Sequence, residues 1–156
     1  MVEKRQTIEI ALRTISNMGF FDTEQGVNEY IKLAEGYDGA ELIKILQKVL
    51  PEKSTVLELG MGPGKDLDIL SKFFKATGSD SSQVFLDRYK QENPEADLLK
   101  LDAVTIPTDR TFDCIYSNKV LHHLTRKELK ESFQRQKRGA KFQWNRISFL
   151  LERRQG

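Results

Sequence analysis

Apolar positions in the first fifty residues recur at helical spacing. Ile8, Leu12 and Ile15 share one face of a segment running from residue 3 to 18, which stops at Asn17-Met18-Gly19. Val27, Tyr30, Ile31 and Ala34 repeat the i, i+3, i+4, i+7 pattern after Thr23 and predict a second helix, ended by Gly36. Leu42, Ile43, Ile45, Leu46 and Val49 predict a third, closed by Pro51, with Asp38 and Glu41 spaced for a reciprocal cap. From residue 51 the period changes. Segments 55–59, 75–80, 97–101 and 112–117 read as strands, and helical patterns cover 65–73, 82–91 and 126–137, the last with Thr125 and Glu128 spaced as a capping box. Such βαβα order calls for a parallel sheet with right-handed crossovers and for ligands at the carboxyl ends of its strands. Asp80, Asp102 and Asn118 fall at three of those ends. Each taken singly is also what a solvated loop or a helix cap would carry.

The first strand, TVLEL, breaks at once into Gly60, Gly62 and Gly64, a strand-to-helix turn whose missing side chains let backbone approach a nucleotide-like ligand. Asp80 stands about 20 residues beyond Gly60, at the tip of the second strand, where an acid reaches ribose hydroxyls. The chain therefore reads as a Rossmann-like α/β fold with a helical preface at its amino end. A dinucleotide fingerprint would place its third glycine three positions after the second, but Gly64 follows Gly62 by two, which argues against NAD-dependent oxidoreduction.

Composition narrows this further. The 156 residues, 38% hydrophobic and 31% charged, fit a single soluble domain with residues 1–50 as a helical cap, 51–137 as the core and 138–156 as a basic tail. Residues 1–125 carry a net charge of −5 and residues 126–156 one of +7. A basic tail attracts phosphates, but no aromatic RNA module or zinc pattern accompanies it, so nucleic acid is not the expected partner. The lone Cys114, inside FDCIY, reads as a buried strand residue in a reducing compartment. The sequence has no apolar run long enough for a membrane helix and no charged-then-apolar leader. A cytoplasmic location with no membrane partner is the expectation.

The order ELGMGPG, then GSDSS, LDA and FDCIYSNKVLHHL, closely resembles the successive motifs of the class I S-adenosylmethionine-dependent methyltransferases, and YDGAELIKIL resembles the helix that leads into them. The resemblance reaches from the start of the chain to about Arg135. It implies a transferase that takes a methyl group from S-adenosylmethionine to a small-molecule or unidentified acceptor. It implies that Glu58 orders the glycine turn and the methionine end of the cofactor, that Gly60, Met61, Gly62 and Gly64 form the cradle, and that Asp80 with Ser81 holds the ribose. Asp102 and the Ala103 amide would take adenine, Asn118 would line the methyl-transfer pocket, and Tyr37 would close over the cofactor or else pack in the core. A sulfonium methyl is already activated, so alignment and exclusion of water suffice and no metal is expected. Where the acceptor must lose a proton, His123, and next to it His122, are the imidazoles placed to take it; the competing reading is that they only pack at the pocket mouth.

Beyond about Lys137 the residues depart from the family pattern, which would continue into a fifth strand, another helix and a final strand pair in a sheet ordered 3-2-1-4-5-7-6. At most one further strand is expected, around residues 147–151. The resulting open sheet edge predicts either a homodimer formed across it or a poorly stable product, and the missing elements keep in play a catalytically silent cofactor-binding or interaction module.

Overall fold

A computed structural model describes residues 19–33, 35, 36, 38–118 and 120–141, with the side chains of residues 20 and 122 left aside. The predicted first helix, the strand near 147–151, Tyr37 and the His122 side chain lie outside the described residues. Within them the chain forms α1 (Glu24–Leu33), α2 (Ala40–Val49), β1 (Thr55–Leu59), α3 (Lys65–Leu70), β2 (Lys75–Asp80), α4 (Gln83–Glu92), β3 (Asp97–Lys100), β4 (Cys114–Tyr116) and α5 (Arg126–Gly139), with 3-10 turns at Phe20–Asp22 and Leu121–His123. All pairings are parallel and the sheet order is β3-β2-β1-β4, as the βα alternation requires.

β1 sits at the centre because its residues are apolar toward both faces. Val56 and Leu57 are fully buried and point oppositely, as period-2 geometry demands. On Val56's side, Leu70, Phe74, Cys114 and Tyr116 pack with Ile43 and Leu46 of α2. On Leu57's side, Leu59, Ile115, Leu101, Ile106 and Phe112 pack with Ala140 beyond α5. A third cluster, Val27, Tyr30 and Phe85, joins α1 to α4 and so hangs the helical preface over the second βα unit.

Four boundaries move for identifiable reasons. α2 begins at Ala40 after Gly39, because the Gly39 N–H donates to the buried carboxylate of Asp66 at 2.7 Å; Asp38 accepts from Ala40 N–H instead, and Glu41 pairs with Lys44. The reciprocal cap expected of Asp38 and Glu41 is thus replaced. α3 stops at Leu70 rather than residue 73, since the chain must turn to bury Phe74 and start β2 at Lys75, whose N–H meets the Ser54 carbonyl. β4 begins at Cys114 rather than residue 112: the Asp113 carboxylate takes the Thr55 N–H while Thr55 Oγ1 takes the Asp113 N–H, so side chains substitute for ladder bonds there. α5 runs to Gly139, past the expected 137, and Ala140 forms a parallel bridge with Phe112. The Thr125/Glu128 capping box forms as expected.

Candidate functional site

The turn after β1 places Gly60, Gly62 and Gly64 at φ +70°, +52° and +88°, a region that side chains disfavour. Steric demand differs among the three. A Cβ on Gly60 would lie 1.7 Å from Val120 Cγ2, and one on Gly64 would lie 2.3 Å from the Tyr89 ring, whereas one on Gly62 meets Tyr30 Cε1 only at 3.5 Å. Gly64 therefore serves packing of α4 as the amino cap of α3, and Gly60 lets the segment after β4 close over the turn. Met61 is fully buried beneath, packed with Leu67, Leu86 and Tyr89, so its side chain belongs to the core and not to the cradle.

A cleft of about 290 Å³ opens at the carboxyl ends of the strands and is lined by Gly60, Gly62, Asp80, Ser81, Asp102, Ala103 and His123. Residues singled out separately in the sequence thus share one wall system. Asp80 Oδ2 accepts the Gly62 N–H and Oδ1 the Ser82 N–H, both at 2.9 Å, which couples the glycine turn to β2. Burial pushes the Asp80 carboxyl up, and the N–H groups of Ser82, Gly62 and Ser81 oppose that rise. Asp102 is exposed in the cleft lining; its Oδ1 accepts from Val104 N–H, Thr105 N–H and the Thr105 hydroxyl, locking the loop. His123 enters the lining from the 3-10 turn, where its N–H donates to the Val120 carbonyl.

Other expected residues stand behind the wall. Glu58, 2% exposed at the end of β1, and Asn118 are not among the lining residues. Asn118 Nδ2 donates to Asp66 Oδ2 at 3.0 Å, beside the Tyr116 hydroxyl, which donates to the same oxygen at 2.8 Å. Fully buried Asp66 therefore joins the preface at Gly39, the first turn of α3, and the segment after β4.

The cleft is also lined by residues to which the sequence gave no role in a site, chiefly Phe21, Tyr30, Phe85, Val120 and Glu128. Tyr30 and Phe85 lie on buried helix faces, where helical periodicity assigns apolar residues to the core and gives no sign that the core borders a cleft. Ser132 was equally hidden: fully buried on α5, it donates to the Ala103 carbonyl at 2.6 Å and accepts from Gln136 Nε2 at 3.0 Å, setting the height of the Ala103 loop.

A parallel sheet with a glycine turn and carboxylates gathered at its carboxyl edge defines a nucleotide-type ligand site. Comparison with known proteins makes the class specific: the family model described as a methyltransferase domain matches residues 56–141, more than half of the chain. The chain belongs to the methyltransferase-domain family. It is 36% identical over 76 residues to a trans-aconitate 2-methyltransferase of Variovorax paradoxus, an alignment covering 46% of this chain and 29% of that protein. Its fold is that of a TehB-like SAM-dependent methyltransferase from Corynebacterium glutamicum, with TM-score 0.64, 22% identity and 84% and 83% of the two chains covered. An amino pentose methyltransferase from Micromonospora echinaspora superposes with TM-score 0.62 at 19% identity, covering 73% of this chain and 51% of that one. The chain thus spans less than a third of the length of the curated relative it matches.

Among the described residues no helix is long and apolar enough to cross a membrane, and no group of three His, Cys, Asp or Glu is placed to hold a metal ion.

Proposed function

We propose that this chain carries an S-adenosylmethionine-dependent methyltransferase activity toward a small-molecule acceptor. The observation that carries the proposal is the convergence of Gly60, Gly62, Asp80, Ser81, Asp102, Ala103 and His123 on one cleft at the carboxyl edge of a parallel sheet. The residues fit the cofactor. Gly62 offers side-chain-free backbone, Asp80 a carboxylate held by two backbone N–H groups, and Asp102 an exposed carboxylate beside the Ala103 amide.

S-adenosylmethionine supplies, when bound, a methyl group on a positive sulfur, already activated for transfer. The protein's part is binding, alignment and exclusion of water. Asp80 with Ser81 is assigned the ribose hydroxyls, and Asp102 with the Ala103 N–H the adenine edge. Phe21, Tyr30 and Phe85 line the cleft with apolar surface that excludes water. His123 is the base for an acceptor that must shed a proton as it attacks, taking that proton on its imidazole. A small acceptor is favoured by the substrates for which the relatives are named, an aconitate and an amino pentose.

Calorimetry of the folded chain with S-adenosylmethionine and with its demethylated product S-adenosylhomocysteine tests the first half; absence of binding to both refutes the proposal. A radiolabelled methyl-transfer screen over carboxylic acids and amino sugars tests the second. His123→Ala should lower kcat at least tenfold with cofactor Kd unchanged, whereas a packing role would leave kcat intact. Binding without transfer to any acceptor would identify a silent cofactor-binding module instead.

A further inference from the structure

A second cavity, of about 200 Å³, lies between α5 and the segment that leads from β3 to β4. None of its lining residues lines the cleft at the carboxyl edge of the sheet. Leu57, Ile106, Phe112 and Ile115 give it buried apolar surface, and Arg110, Arg135 and Arg138 are exposed arginines in the same lining. The lining is therefore apolar where it is closed and basic where it meets water.

Backbone and side-chain bonds fix these walls. The Phe112 N–H donates to the Gly139 carbonyl and the Lys141 N–H to the Phe112 carbonyl, both at 2.8 Å, which ties the end of α5 to the approach to β4. Arg110 is held as a fork: Nη1 donates to Asp97 Oδ1 at 3.1 Å and Nη2 to Asp97 Oδ2 at 2.6 Å, with the guanidinium 5.2 Å from the centre of the Phe112 ring. The turn before it is tight. The Ile106 N–H donates to the Asp102 carbonyl, the Thr108 N–H to the Ile106 carbonyl, and the Arg110 N–H to Thr108 Oγ1. Ile106 itself sits at φ +43°, a left-handed conformation that a β-branched residue keeps only where its surroundings hold it.

Charge in this lining is not balanced. Asp97 matches Arg110, and Asp109 is the carboxylate of the lining itself. Arg135 and Arg138, three positions apart on α5 and so neighbours on one side of it, have neither a carboxylate nor a hydrogen-bond partner among the described residues. With Asp109 counted against them, one positive charge is left over in a cavity that also holds buried apolar surface. Arginine, and not lysine, in all of these places favours a group with two coplanar oxygens, which a guanidinium meets with parallel N–H bonds. We infer that this cavity binds a small monocarboxylate with an apolar body, the carboxylate on Arg135 and Arg138 and the body against Leu57, Ile106, Phe112 and Ile115. The inference is independent of the methyltransferase reading, since the two cavities have no lining residue in common.

The test is a ligand-observed NMR titration of the full chain at about 0.15 M salt, where loose attraction between exposed charges is screened. The probes are benzoate, benzyl alcohol, which keeps the apolar body without the charge, and inorganic phosphate, which keeps a charge without the body. Benzoate should bind with a dissociation constant on the order of 1 mM, the range open to so small a ligand. Benzyl alcohol and phosphate should each bind at least about fivefold more weakly. The Arg135→Gln/Arg138→Gln double variant should lose at least about fivefold in benzoate affinity. Lys137→Gln removes a charge from the same turn outside the lining and should stay within about twofold. All three side chains are exposed, so the substitutions leave the core untouched, and a thermal melt checks folding. The comparison of probes needs no variant and decides the matter even if one fails to fold. No binding of benzoate, equal binding of benzyl alcohol or of phosphate, unchanged affinity in the arginine variant, or equal loss in the Lys137 variant would each overturn the site.

Discussion

Gly60 concentrates two constraints in one residue. Its left-handed backbone costs about 1–2 kcal/mol for an L side chain, and a Cβ would also drive into Val120 at 1.7 Å. Gly60→Ala should therefore lower unfolding free energy by at least the backbone amount in urea titrations and weaken cofactor binding, because the turn and Val120 share the cleft wall. Gly62 meets only an ordinary contact, so Gly62→Ala should cost the backbone strain and little more. Cys114 is as simple a case in the other direction. It is 6% exposed in the central sheet, and burial, with Asp113 adding, pushes its thiol up to about 12. Native protein at pH 8 should resist a thiol reagent that labels it at once in denaturant, which checks that the reading of this residue as a buried strand position holds in solution.

At the scale of elements, α5 works as a ruler. Its amino end is pinned by the Thr125/Glu128 box, and two turns further on Ser132 reaches the Ala103 carbonyl beside the cleft. Thr125→Ala should cost about 1 kcal/mol of stability. Ser132→Ala leaves a part-buried carbonyl without that donor, at a cost of about 1 kcal/mol, and should in addition weaken S-adenosylhomocysteine binding several-fold by freeing the Ala103 loop. Affinity and stability falling together in Ser132→Ala, with Thr125→Ala affecting stability alone, would establish the ruler; equal affinity in both would refute it. The capping box was legible in the sequence because it is local, a hydroxyl and a carboxylate three residues apart. The cap of α2 was not, because Asp66, 27 residues away, takes the Gly39 N–H that local spacing reserved for Asp38.

For the molecule as a whole, the two ends of the sheet do different work. The carboxyl ends of the strands carry the cleft, while near the amino end of β3 the Asp97 carboxylate receives two bonds from Arg110 and one from the Thr77 hydroxyl. Arg110 holds Asp97 below the usual carboxylate range, and the Thr55 N–H does the same for Asp113 at the start of β4. For a carboxyl lowered in the folded state, stabilisation is present above its unfolded value, near 4, and is lost as pH falls through the folded value. The urea midpoint should therefore drop as pH falls below about 4. Asp97 is exposed and Asp113 half-buried, so solvent screening keeps each contribution small. Asp97→Asn should lower the midpoint at pH 7, shrink the acid drop, and leave cofactor affinity at pH 7 within twofold of wild type. A change in affinity would show that the two ends are not independent.

Local rules were enough to read the βα alternation, the parallel order, the glycine turn and the acids at strand tips, because each depends on periodicity, backbone conformation or spacing within a few residues. They also placed Asp80, Asp102 and Asn118 at neighbouring strand ends, and of these Asp80 and Asp102 line the cleft while Asn118 does not. What folding alone decided is which side chains face the cleft. Met61 and Asn118 turn to the core and to Asp66, while Tyr30, Phe85 and Ser132, indistinguishable from core positions along the chain, become its wall and its support. Burial and direction toward a cavity are set by contacts between elements far apart in sequence, and no local pattern encodes them.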